Sequence, residues 1–136
     1  MIKNLNKEVW KEFVLKHKIK FRYAVSNYGR LMSFTDSFDD GRLLKGSTSD
    51  GYRVFSYRAN VRKKSRCFAL SLHKLVAELF LKKKETDVMV IHLDYNRANN
   101  VVSNLKWVSR EVWLEHYRKN PAVVQAKLDT IERNKN

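Results

Sequence analysis

Apolar residues near the start of the chain recur at helical spacing, and the period then shortens. Leu5, Val9, Trp10, Phe13 and Val14 predict an amphipathic, helix-like segment over residues 5–19. Phe21-Arg22-Tyr23-Ala24-Val25-Ser26 alternates, as a half-buried strand does. Asn27-Tyr28-Gly29 reads as a turn in which the glycine is free to take positive φ. Residues 30–34 resume extended structure, and residues 35–42, with Asp39-Asp40-Gly41, form a polar loop. Residues 43–46 and 51–57 read as two further strands. A hairpin tip over residues 60–66 and a return strand over 67–70 complete a small, twisted antiparallel sheet.

The period changes again at residue 71. Leu72, Leu75, Val76, Leu79 and Phe80 share one helical face over residues 71–82, with Ser71 placed to cap it and Lys82-Lys83-Lys84 near its negative end. A strand over 88–93, an Asn-rich turn and a strand over 105–108 follow. Ser109 can cap a helix running to about Lys119, and Pro121 opens a last helix with Val123, Val124, Leu128 and Ile131 on its apolar side. The final residues are polar and are expected to fray. Strands first and helices later define an α+β chain, with no internal repeat, low-complexity block or flexible linker.

Charge narrows the choice of partner. The 136 residues carry 28 Lys and Arg against 14 Asp and Glu, a formal net charge of +14. Self-repulsion opposes compaction, so the excess points to an anionic partner. Nucleic acid is the first candidate, an anionic membrane surface the second, and a merely soluble basic protein the bland alternative. Cys67 is the single cysteine, which excludes a disulfide within the chain and argues against a cysteine-based zinc site. No secretory leader pattern and no apolar run near the roughly 20 residues of a membrane span is present. The expected location is cytoplasmic, with nucleoid association as a variant and no membrane partner.

The chemistry concentrates in Val90-Ile91-His92-Leu93-Asp94-Tyr95-Asn96-Arg97-Ala98-Asn99-Asn100, closed by Asn104-Leu105-Lys106-Trp107-Val108. An apolar strand delivers one histidine to a polar turn, and a second strand and a helix follow. Upstream stand Trp10-Lys11, the run from Tyr23 to Leu31, Leu44-Lys45 and Gly51-Tyr52, then His73-Lys74-Leu75-Val76-Ala77-Glu78-Leu79-Phe80. In this order the three blocks, covering roughly residues 8–118, resemble the His-Asn-His (HNH) endonucleases of homing elements and phages, with their N-terminal nuclease-associated modular DNA-binding segment. The resemblance implies a DNA-binding module over 1–70, an HNH-like ββα-metal finger over 71–120, and a C-terminal helix and tail over 121–136. It places His92 as general base and Asn104 as the asparagine that keeps the imidazole aimed. A neutral imidazole suits a base near pH 7. An active member would use Mg or Mn to neutralise charge on the scissile phosphate.

The chain departs from the family at the metal. The residue before the base histidine is ordinarily an Asp or Asn ligand, and here it is Ile91. The second ligand, on the following helix, falls at Trp113. Neither side chain offers a hard cation a lone pair. Asp94 and His116 are the weak substitutes, set against a turn-fixing role for Asp94 and an exposed position for His116. His73 is expected to hydrogen-bond in the core or cap a loop, His17 to lie on the surface, and Asn99 and Asn100 to shape the turn.

Arg62, Lys63, Lys64 and Arg66 crowd one short turn and are the leading phosphate contacts, with Arg30 and Arg97 as further candidates. Arg53, Tyr57 and Arg58 are placed on an exposed sheet face, and Tyr52 and Phe55 in the core. Three functions follow. The first is a nucleic-acid-binding protein of HNH type, acting on double-stranded DNA or on structured RNA, with cleavage in question. The second is an active metal-dependent endonuclease. The third is a catalytically dead regulator or adaptor on a nucleoprotein machine such as RNA polymerase or the ribosome.

Overall fold

The computed structural model describes residues 2–135. Four short strands, β1 (Trp10–Phe13), β2 (Arg22–Ser26), β3 (Leu31–Phe34) and β4 (Arg42–Leu44), form an antiparallel sheet in chain order. A second sheet holds β5 (Ser47–Ser49), β6 (Tyr52–Val61) and β7 (Lys64–Ser71). Helix α1 (Leu72–Phe80) leads to the hairpin of β8 (Met89–His92) and β9 (Leu105–Val108), then α2 (Arg110–Arg118) and α3 (Pro121–Asn134). Asn136, in the polar C-terminus expected to fray, lies outside the described residues.

The expected helix over 5–19 is a strand at its centre. Trp10 pairs with Ser26 and Phe13 with Tyr23, and the ladder is extended by Val9 and Asn27, which bond through Asn27 N–H to the Val9 carbonyl. The helical stripe does not exist in space: Val9 and Val14 are exposed, while Phe13 alone of the five is buried. Sheet pairing decides here over local periodicity. β5 has no apolar residue and escaped the pattern; its Ser47 and Ser49 pair with Val54 and Tyr52.

β6 alternates cleanly, with Phe55, Tyr57 and Ala59 buried. Tyr57 therefore belongs to the core, stacked on Phe55 and Phe68, and not to an exposed face. The hairpin tip is tighter than expected. Pairing runs out to Val61 and Lys64, so Arg62 and Lys63 alone make the turn and Lys64 and Arg66 sit on the return strand. A single apolar cluster joins Phe13, Tyr23 and Val25 of the first sheet, Phe55 and Tyr57 of the second, Leu72, Leu75 and Val76 of α1, and Val90 and Leu105 of the last hairpin. Ser71 starts α1 without a side-chain capping bond, whereas Ser109 Oγ accepts from Val112 N–H and Asn120 Oδ1 from Ala122 N–H. No described helix is long and apolar enough to cross a membrane.

Candidate nucleic-acid interface and the His92 cleft

His92 closes β8 with its ring buried (6% exposed). Its Nε2–H donates to Asn100 Oδ1 at 2.8 Å. An amide oxygen only accepts, so the proton sits on Nε2 and the lone pair of the neutral ring on Nδ1. Burial lowers the His92 pKa; Asn100 and Asp94 oppose this, while Arg97 and His116 add to it. The ring is thus neutral near pH 7, as a base requires.

The loop after His92 is folded by its own amides. Asp94 Oδ1 accepts from Asn96 N–H and Asn104 Nδ2, and Asp94 Oδ2 accepts from Asn99 Nδ2. Asn104 Oδ1 accepts from Asp94 N–H at 3.0 Å, and Asn104 Nδ2 also reaches the Asn99 carbonyl. Those bonds, from Asn99 first, hold the Asp94 carboxyl below its usual pKa. Asn104 therefore clamps the loop, while Asn100, buried at 4% exposure, holds the imidazole itself. Sequence reasoning placed Asn100 among the turn-formers; in a run of asparagines nothing local marks the one turned inward.

Ile91, His92 and Trp113 meet in one half-open cleft of about 80 Å³, shared with Tyr52, Tyr95, Arg97, His116 and Tyr117. The side chains present do not fit a divalent cation. Ile91 and Trp113 supply no donor, and both Asp94 oxygens face the loop amides. His116 Nε2–H donates to the His92 carbonyl at 3.0 Å, under a stacked Tyr95 ring. Among the described residues, no three His, Cys, Asp or Glu side chains converge as ligands. The two substitute ligands are thus engaged in fixing the loop and α2.

His73 is buried, and its Nδ1 has no partner among the described residues; it stacks on Tyr52 and lies 5.0 Å from the His92 ring, centroid to centroid. Burial, with His92 and Lys74 adding, pushes its pKa down to about 4. It is a neutral packing ring rather than a hydrogen-bonding or capping one. His17, expected on the surface, stacks on Phe68 at 4.2 Å and hydrogen-bonds with the Tyr57 hydroxyl.

The candidate cations divide into three environments. Arg62, Lys63, Lys64 and Arg66 are exposed and make no ion pair among the described residues. Arg97 lies over the Tyr52 ring, donates to the Asp50 carbonyl and edges the His92 cleft. Arg30 is turned inward, where Nε donates to Glu8 Oε2 at 2.9 Å and Nη2 to the Lys3 carbonyl, with Trp10 beside it. Burial would raise the Glu8 carboxyl, but the Arg30 and Ser26 hydrogen bonds outweigh it and the net shift is downward. Arg30→Ala is expected to lower unfolding stability by about 2–3 kcal/mol at neutral pH, because it strands the enclosed Glu8 carboxylate. Denaturant titration measures this. Since the folded-state pKa is the lower one, the pair stabilises above the ordinary carboxylate range, and the benefit vanishes as pH falls through the folded value.

A histidine at the end of a ββα finger, fused through one core to a small antiparallel module, defines the class. Residues 8–58 match the NUMOD4 motif. The chain is 30% identical over 115 residues to DNA endonuclease I-HmuI of Bacillus phage SP01, covering 84% of this chain and 62% of that protein. It is 34% identical over 87 residues to the uncharacterized HNH endonuclease L245 of Acanthamoeba polyphaga mimivirus, covering 64% of this chain and 24% of the relative. A solved structure described as DNA binding and cleavage by the HNH homing endonuclease I-HmuI superposes with a TM-score of 0.58 at 27% identity, over 93% of this chain and 68% of that one. These matches support the HNH homing-endonuclease family for this chain. It spans between a quarter and about three-fifths of the length of these curated relatives.

Proposed function

We propose that the chain binds double-stranded DNA and does not cleave it. The observation that carries the second half is the cleft itself: His92 is oriented and neutral, but Ile91 and Trp113 line the place a metal would need. Binding is supported by the free cations of the β6–β7 hairpin and by the DNA-acting relative. β6 starts at Tyr52, in the cleft, and ends at the basic tip. Its nine residue steps span roughly 30 Å at about 3.3 Å each. One duplex laid along the hairpin would touch both, over roughly nine base pairs at about 3.4 Å per pair. The NUMOD4 segment and hairpin then act as the docking module and the finger over 71–120 as a second contact.

Two measurements decide between binding alone and retained hydrolysis. In a mobility-shift titration at low ionic strength, labelled duplex is expected to shift, and structured RNA serves as the competing partner. Plasmid incubated with magnesium, manganese or chelator is expected to stay supercoiled. Metal-dependent nicking that disappears in His92→Ala would establish the active-enzyme reading instead, for which the unoccupied lone pair on His92 Nδ1 is the favouring feature.

A further inference from the structure

The His92 cleft lacks ligands but is rich in rings. Two stacked pairs stand in it: Trp113 with Tyr117, 5.5 Å between centroids and 13° apart, and Tyr95 with His116, at 4.1 Å and 14°. Tyr95 holds its place with φ 63, in the left-handed region. A bulky side chain rarely adopts that backbone, so the turn is not set by the local preference of its own residue. Tyr117 is 44% exposed. Neither its hydroxyl nor Trp113 Nε1 bonds a described protein group, unlike Trp107 Nε1, which donates to the Ala77 carbonyl. Structural hydrogen bonds hold Tyr95 and His116, but no such bond accounts for Trp113 and Tyr117 among the described residues.

The edge of the cleft is polar in a specific way. Among the described residues, Arg97 uses Nη1 on the Asp50 carbonyl and bonds nothing through its other guanidinium N–H groups, and the Asn120 side chain uses only Oδ1, to cap α3. Flat apolar walls rimmed by hydrogen-bond donors match a planar heteroaromatic ring with carbonyl and ring-nitrogen acceptors on its edge. An aliphatic or acidic peptide side chain would leave either the donors or the faces without partners. The surrounding excess of positive charge selects a polyanion as the bearer of that ring.

The geometry points to a pocket for one unpaired nucleobase of the bound DNA, stacked against Trp113 at the position the family gives to its metal. This rests on the DNA-binding reading and adds to it. The cleft is half open and small, which suits a base entering from an adjoining strand rather than a free nucleotide enclosed on all sides.

Three end-labelled duplexes of one sequence test it by fluorescence anisotropy: fully paired, with one bulged pyrimidine, and with an abasic bulge at the same place. Base–aromatic stacking contributes about 1–3 kcal/mol per base, so the bulged pyrimidine is expected to bind roughly 10-fold tighter than the paired duplex. The abasic bulge bends the backbone equally and should show no such gain. In Trp113→Ala the ratio of bulged to paired affinity should collapse to about one, and in Trp113→Phe much of it should survive. Reading a ratio within each variant cancels any loss of folded protein. Equal binding of bulged base and abasic site, or a gain that persists in Trp113→Ala, overturns the pocket while leaving duplex binding intact. Absence of binding to the paired duplex at low ionic strength overturns the DNA-binding reading, and the pocket falls with it.

Discussion

Replacing Arg62, Lys63, Lys64 and Arg66 together with glutamine is expected to weaken duplex binding on the order of 10³-fold at 0.1 M salt. The magnitude follows from counterion release. Each phosphate neutralised contributes about −0.9 to the slope of log affinity against log salt. With four cations removed, that slope should flatten by about 3.6, and affinity should fall by about 3.6 decades relative to a 1 M reference. The same series should leave folding nearly untouched, since all four side chains are exposed. The turn supplies a sharper control. Arg62 and Lys63 both sit at left-handed φ, 51 and 65, in a two-residue hairpin turn where Asn-Gly is the favoured pair. Arg62→Asn with Lys63→Gly should therefore stabilise the protein by about 1–2 kcal/mol and weaken DNA binding by tens of fold. Stability and binding moving in opposite directions would show that the two cations are held there for an anion. A slope unchanged by the quadruple substitution would remove the hairpin from the interface.

Local patterns carried most of this architecture. The alternation of Phe55, Tyr57 and Ala59, the helical face of α1 and the Ser109 and Pro121 starts are short-range features, and they stand in the structure near where the pattern puts them. What the pattern missed was decided at long range. β1 exists because β2 offers a ladder, and β5 because β6 does. The resemblance to the family's finger, not periodicity or spacing, singled out His92, Asn104 and the two positions without a ligand, Ile91 and Trp113; the structure sets Ile91, His92 and Trp113 in one cleft and Asn104 in the loop beside it. The cleft itself was not legible in the sequence. Tyr52 and Arg97 reach it only through the meeting of the second sheet with the finger loop, and Tyr95 only through an unusual backbone angle. Arg30 illustrates the same limit: as one more cation after a glycine turn it reads as a phosphate contact, until Glu8 is found folded against it.

The second large effect is expected at Gly29, on stability and on His92 together. The turn that carries it is welded to the finger: Val102 N–H donates to the Asn27 carbonyl at 2.9 Å, and Ser26 Oγ accepts from the backbone of Tyr28 and Arg30. Gly29 has φ +78, and a Cβ there would lie 2.7 Å from the Asn100 carbonyl oxygen. Asn100 is the residue whose Oδ1 holds His92 Nε2. Gly29→Ala must therefore bear left-handed strain of about 1–2 kcal/mol and displace backbone as well, for a total of about 2–4 kcal/mol. Gly51→Ala separates the two costs. Gly51 has φ +82, but its nearest neighbour would be Arg97 Cδ at 3.4 Å, the yielding part of a long side chain. It should lose only the strain. In thermal unfolding Gly29→Ala should fall well below Gly51→Ala, and the His92 Nε2–H resonance should shift or broaden in the first variant alone. Equal destabilisation with an unmoved His92 signal would mean that the turn and the Asn100 loop are not mechanically joined, and that the docking module folds without regard to the finger's histidine.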